Sequence, residues 1–179
     1  MPEIRKDPLT DDWVIISSER SGRPFDFSDY KEDEESSKDC PFCEGNEELT
    51  PPEIYALRDS GADNGPGWTI RVIPNKFSAL DPQATNSLIQ DDIYSFSDGF
   101  GFHELVIEGP EHDEKIEDRS SKNLLQIMQV YRDRLKTLSE KEGIKNVLIF
   151  KNYGAGSGAS LSHPHTQILA TPFVPGGIK

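Results

Sequence analysis

Apolar positions along this chain follow two rhythms, one residue in two and one in three or four, and each predicts its own kind of element. Asp12-Trp13-Val14-Ile15-Ile16-Ser17 is a β-branched and aromatic run that suits a strand. Thr69-Ile70-Arg71-Val72-Ile73 alternates with period two and ends at Pro74. Phe102-His103-Glu104-Leu105-Val106-Ile107-Glu108 predicts a third strand, stopped by Gly109-Pro110. Asn146 to Phe150 is short and almost wholly apolar, the pattern of a buried central strand. His165-Thr166-Gln167-Ile168-Leu169-Ala170 predicts a fifth, ahead of Pro172. The helical rhythm lies between the third and fourth strands. Leu124, Met128, Tyr131, Leu135 and Leu138 recur at steps of four and three, a stripe that should face the core. Ser120 or Ser121 can cap its start, and Gly143 stands where a left-handed residue is wanted after its end. From Glu19 to Gly67 neither rhythm holds, which predicts irregular structure. Strands with one long crossover helix make an α+β fold on a mainly antiparallel sheet.

Composition narrows the function classes. At 179 residues the length suits one domain. Lysine and arginine number 19 against 32 aspartates and glutamates, a net charge of −13. Such a field repels polyanions, so nucleic-acid binding is not expected, and any anion must be held by a few focused cations or a metal. No apolar run approaches the roughly 18 residues of a membrane helix, and Met1-Pro2-Glu3-Ile4-Arg5-Lys6-Asp7 lacks the apolar core of a signal peptide. Two cysteines cannot make a disulfide scaffold. A soluble cytoplasmic protein is the expectation. Asp26 to Glu53 holds eleven acidic residues against Lys31 and Lys38. That composition buries too little apolar surface to order itself, so the segment is loose or something else pins it.

Cys40-Pro41-Phe42-Cys43 lies inside this segment, with its thiols spaced to reach one tetrahedral ion. A redox pair or two incidental thiols are the plainer readings, although the strand-helix setting of a redox motif is missing. Two further ligands could be any two of His112, which follows the third strand, and His163 and His165 in His163-Pro164-His165 at the start of the last. His112 taken alone reads as a solvated turn residue. If extended, His163, His165 and Gln167 share one face, where both imidazoles can be metal ligands, or one can bind a metal while its neighbour offers a ring nitrogen to a substrate. Upstream, Asn152-Tyr153-Gly154-Ala155-Gly156-Ser157-Gly158-Ala159-Ser160 is either a flexible hairpin or a backbone cradle for phosphate. Arg20 and Arg23 can clamp phosphoryl oxygens or lie solvated in a loop. His103 reads as a satisfied structural histidine.

His163-Pro164-His165-Thr166-Gln167 resembles the His-x-His-x-Gln motif of the galactose-1-phosphate uridylyltransferase family, a branch of the histidine-triad superfamily. The opening Arg5 to Ile15, Arg20-Ser21-Gly22-Arg23-Pro24, Cys40-Pro41-Phe42-Cys43-Glu44-Gly45-Asn46, Pro74 to Leu80, Glu108 to His112 and Asn152 to Ser160 are similar to family blocks in the same order. The resemblance covers nearly all of residues 1–179 and implies a histidine-triad-like N-terminal half-domain, whose family chain carries a second, related half. It implies zinc on Cys40, Cys43, His112 and His163. It also implies that His165 attacks the α-phosphorus of a UDP-sugar, holds the uridylyl group, and passes it to a second sugar 1-phosphate. Neutral imidazole, with an ordinary pKa of about 6.5, is competent for this near pH 7. In the family the carbonyl of the zinc-bound histidine orients the nucleophile, so zinc would position it. Gln167 replaces the third histidine of the superfamily's hydrolases; an amide gives hydrogen bonds but no proton, which favours transfer over hydrolysis. Asn75, Asn152, Gly158 and Ser160 would contact uridine or its phosphates, Arg20 and Arg23 the phosphates, and the complete protein would be a homodimer. An ADP-sugar phosphorylase of the same superfamily, or a non-catalytic zinc-stabilised fragment, is the alternative. Lys76 stands where some members carry aspartate.

Overall fold

A computed structural model describes residues 1–17, 40–152 and 161–178. In chain order the strands are β1 (Glu3–Lys6), β2 (Trp13–Ile16), β3 (Tyr55–Arg58), β4 (Trp68–Pro74), β5 (Ile89–Asp91), β6 (Tyr94–Asp98), β7 (Phe102–Ile107), β8 (Asn146–Phe150) and β9 (His165–Thr171), with helix α1 (Ser121–Ser139) between β7 and β8. They build two sheets, β2-β1-β6-β5 and β3-β4-β7-β9-β8, in which every strand pairing is antiparallel. The α+β reading holds, and so does the crossover. Because β7 and β8 both run against β9, they are parallel to each other, and α1 carries the chain over β9 between them.

Period two gives the five-stranded sheet two different faces. Ile70 and Val72 of β4, Val106 of β7, and Ile168 and Ala170 of β9 pack with Ile127, Val130 and Leu138 of α1. On the opposite face Ile73, Leu105 and Ile107 pack with Cys40, Phe42 and Cys43, and the same strands there carry His103, His165 and Gln167. The register sets Ile107 opposite His165 and Leu105 opposite Gln167. One face is a helix core; the other holds the chemistry.

Four expectations change. The predicted helix stripe is rotated: Met128 and Leu135 lie exposed, while Ile127 and Val130 are buried. Asn146 to Phe150 is an edge strand, with Val147 and Ile149 against the helix core and Leu148 outward. Strands β1, β5 and β6 were not readable from the pattern. Glu-Ile-Arg-Lys of β1 has one buried residue, Ile4, and is held by pairing on both sides. The predicted irregular segment contains β3, paired with β4. It also contains a short 3₁₀ turn at Glu47–Leu49. The cap is Ser120, which accepts the Asn123 N–H, and Gly143 has φ +83°. No helix among the described residues is long and apolar enough to cross a membrane.

Candidate active site and metal centre

The acidic segment is held, within its described part, by its own carboxylates. Glu47 is buried and accepts the Trp68 indole N–H at 2.7 Å and the Gly45 N–H at 3.1 Å. Glu53 pairs with Arg58 at 2.5 Å and with buried Arg71 at 3.0 Å. Burial alone would raise both carboxyls. Donors from Trp68 and Gly45 for Glu47, and from Arg58, Asn64 and Arg71 for Glu53, overturn that and hold them below the ordinary value. Asn46 donates to the Cys40 carbonyl at 2.8 Å, closing the cysteine turn.

Four side chains from three separate stretches then converge. The ligand atoms of Cys40, Cys43, His112 and His163 all lie within 4.8 Å of one another. Cys43 Sγ is 3.3 Å from His112 Nδ1 and 3.6 Å from His163 Nδ1, and Cys40 Sγ is 3.8 Å from His163 Nδ1. Bonds of about 2.3 Å to sulfur and 2.1 Å to nitrogen place the ligand atoms of a tetrahedral zinc about 3.4–3.8 Å apart. The cluster therefore fits such an ion. Its protonation fits as well: His163 Nε2 donates to the Gly109 carbonyl at 2.9 Å, which leaves the Nδ1 lone pair facing the sulfurs. Burial holds the His163 imidazole down at about 4, so it is uncharged near neutrality. Burial, then the Cys40 thiol beside it, pushes the Cys43 thiol up to about 12; a cation would reverse that preference. His112 is no solvated turn residue, for its Nε2 meets the Ser162 hydroxyl at 2.9 Å. Ser162 was not read from the sequence, where nothing separates it from its polar neighbours.

His165 follows directly. Its Nδ1–H donates to the His163 carbonyl at 2.9 Å, so the Nε2 atom carries the lone pair. The ring packs edge-on against Phe42, with centroids 5.2 Å apart. His165 and Gln167 line a cavity of about 260 Å³ together with Asn75, Lys76, Phe77, Phe42, Leu49 and Leu161. Asn75 therefore reaches the site; Asn152 is described but is not among the cavity's described lining residues. Arg20, Arg23, Gly158 and Ser160 lie outside the described residues. His103 is buried and satisfied, as expected, yet its Nε2 lies 3.0 Å from Gln167 Oε1, a link that only the strand register creates.

Beneath this face a buried polar group ties four elements together. Glu108 receives the Lys151 ammonium at 2.5 Å and the Tyr131 and Thr166 hydroxyls at 2.6 Å each. Burial opposes ionisation, but those donors outweigh it and hold the carboxyl below its ordinary value.

Comparison with known proteins gives the chain a family. Residues 1–175 match the family model for the galactose-1-phosphate uridyl transferase N-terminal domain. An ADP-glucose phosphorylase of Arabidopsis thaliana is 37% identical over 178 residues, covering 97% of this chain and 50% of its own length. A galactose-1-phosphate uridylyltransferase of Thermotoga maritima is 32% identical over 181 residues, covering 100% and 49%. The chain spans about half the length of these curated relatives. Among solved structures, the Arabidopsis thaliana ADP-glucose phosphorylase with bound ADP-glucose superposes with a TM-score of 0.64 at 36% identity, over 98% of this chain and 50% of that one. A uridylyltransferase superposes with a TM-score of 0.69 at 26% identity, over 97% and 47%. With nearly every residue covered by the family model, the chain belongs to the galactose-1-phosphate uridyl transferase family, whose N-terminal half it represents.

Proposed function

We propose that this chain carries the nucleophile of a nucleotidyl transfer, and that His165 is that nucleophile. The observation that carries the reading is the 2.9 Å hydrogen bond from His165 Nδ1 to the His163 carbonyl, beside a Cys₂His₂ cluster and a cavity. Nε2 attacks the α-phosphorus of a nucleoside diphosphate sugar. A phosphorus–nitrogen bond forms as the bond to the bridging oxygen breaks, and the sugar 1-phosphate leaves with the electron pair. The ring is now cationic, and the His163 carbonyl accepting its Nδ1–H stabilises that charge. An oxygen of a second phosphate then attacks phosphorus, and the electron pair returns to Nε2. The leaving group is already an anion, so no general acid is required, and the Gln167 amide suffices as a donor to phosphoryl oxygens. Zinc on Cys40, Cys43, His112 and His163 would fix the His163 carbonyl and so aim His165. Asn75 would contact the nucleotide, as would Asn152, Gly158 and Ser160 from the glycine run, with Arg20 and Arg23 on the phosphates.

In the first reading UMP moves between UDP-glucose and galactose 1-phosphate, in keeping with a family model described as galactose-1-phosphate uridyl transferase. A second reading, adenylyl transfer from an ADP-sugar, is favoured by the Arabidopsis relative at 37% identity and by the ADP-glucose bound in its crystal structure. The test incubates the metal-loaded full chain with UDP-glucose or ADP-glucose labelled in the nucleoside. An acid-labile adduct on His165, absent in His165→Ala, is expected, and the nucleotide that labels faster identifies the base. No adduct with either would overturn the reading.

A further inference from the structure

We infer that His103 is a positioning residue that decides which edge of the Gln167 amide faces the phosphoryl group. The inference rests on the nucleotidyl-transfer reading and deepens it. His103 sits on β7 diagonally across from Gln167 on β9, two positions out of register, a distance that long side chains span. The backbone N–H of Ala79 approaches His103 Nδ1 at 3.1 Å. A backbone amide can only donate, so Nδ1 holds a lone pair and the ring proton is on Nε2. That proton must find an acceptor. Two side-chain amides lie within reach, Asn75 Nδ2 at 3.1 Å and Gln167 Oε1 at 3.0 Å. Asn75 has its orientation fixed elsewhere, since its Oδ1 accepts the Phe77 N–H at 2.9 Å; its amide NH₂, with the lone pair delocalised, cannot accept a hydrogen bond. The Nε2–H is therefore given to Gln167 Oε1.

The consequence is one of polarity. With its oxygen occupied by His103, Gln167 has only N–H donors left for the cavity it lines. An amide that could have shown an acceptor shows donors instead. That suits the anionic oxygens of a phosphoryl group, which a carbonyl oxygen would repel. A single backbone N–H, acting through the tautomer of one imidazole, sets this arrangement without touching substrate.

Substitution separates positioning from packing. Asparagine at 103 can still accept the Ala79 N–H but offers nothing at the Nε2 place. In the metal-loaded full chain, His103→Asn should lower kcat about 10- to 100-fold, less than the 10²–10³-fold cost of deleting a transition-state donor outright, because a freed amide still turns the right way part of the time. KM for the nucleotide sugar should stay within about threefold. In a Gln167→Ala background the same change should alter kcat less than about twofold, since the group it orients is gone. His103→Gln, whose tip reaches the Nε2 place, should recover part of the rate, and His103→Ser replaces His103→Asn in the cycle if that variant fails to fold. An equal loss in both backgrounds, with the parent still labelling His165, would overturn the role given to His103. If the parent never labels His165, the transfer reading falls and takes this role with it.

Discussion

Gly109 meets two demands at once. Its carbonyl takes the His163 Nε2–H at 2.9 Å, and its α-carbon faces the Arg119 guanidinium. A β-carbon there would stand 2.7 Å from Arg119 Nη1 and 2.9 Å from Nη2. Arg119 is not a side chain that can step aside: it is buried, donates to the Glu108 carbonyl at 2.6 Å and pairs with Glu114 at 3.0 Å. Alanine at 109 must therefore displace either the guanidinium or the carbonyl that fixes the tautomer of His163. Gly109→Ala should cost about 1–3 kcal/mol of stability as an overpacked site. It should also weaken binding of a metal ion offered to the Cys40, Cys43, His112 and His163 cluster by roughly tenfold, the low end for disturbing an outer partner of a metal ligand. Paired thermal melts and competition against a chromophoric chelator measure both. A loss of stability with metal affinity unchanged would mean that the carbonyl is no tether.

At the scale of elements, helix α1 shows what a hydrophobic pattern can and cannot specify. The helix has apolar residues on more than one side, so two stripes fit its sequence. Packing selects Ile127, Val130 and Leu138. Arg134 falls on the same inward side, where it forms a bidentate pair with the nearly buried Glu104 of β7, at 2.6 and 2.8 Å. An arginine in a buried stripe breaks the periodicity that a hydrophobic count follows. Ile127→Ala should thus cost about 2–5 kcal/mol and Met128→Ala no more than about 0.5, read as shifts in urea midpoint at constant m-value. Comparable costs would refute the face assignment. Strands β4, β7 and β9 were legible because each carries enough apolar residues to declare its period. Strands β1, β5 and β6 were not, since their order comes from pairing with neighbours that no local window contains. The site divides the same way. Cys40, Cys43 and the histidines announce themselves by residue type, whereas Ser162 against His112 and His103 against Gln167 depend on register and on contacts between distant segments. The metal cluster has a consequence for these elements too. It joins the turn at 40–46 to the loop after β7 and to the approach to β9, whereas the β4-β7-β9-α1 core is closed without it. Chelation should raise hydrogen exchange in residues 40–54 by at least about tenfold while leaving β7 and α1 near their parent rates. Uniform acceleration would show instead that the whole fold depends on the ion.

For the molecule as a whole, two electrostatic effects oppose each other as pH falls. The net charge of −13 makes the folded state repel itself, and protonating exposed carboxylates relieves that strain. The buried carboxylates act in the other direction. Glu47, Glu53 and Glu108 are all held below the ordinary value of 4.5, so each binds a proton less readily folded than unfolded. Their stabilisation is complete above the unfolded value and is lost as pH falls through the folded one. His163 adds to the acid loss, because its imidazole is held down at about 4 in the fold, so stability should decline from about pH 6.5 and drop further below about 4.5. Glu108 is the sharpest probe, because its side chain is fully buried while Lys151 keeps 22% exposure, and because β7, α1, β9 and the end of β8 meet on it. Glu108→Gln keeps the shape and removes the charge, leaving Lys151 without its anion. A loss of about 3 kcal/mol at pH 7 is expected, the low end for breaking a buried pair given the partial hydration of Lys151. The variant's acid limb between pH 4.5 and 3 should be shallower than the parent's, since one proton taken up on unfolding has been removed. Melting profiles of both proteins from pH 3 to 7 decide the matter: parallel acid limbs would mean that Glu108 titrates alike folded and unfolded, and that the acid sensitivity lies with Glu47 and Glu53 beneath the cysteine turn.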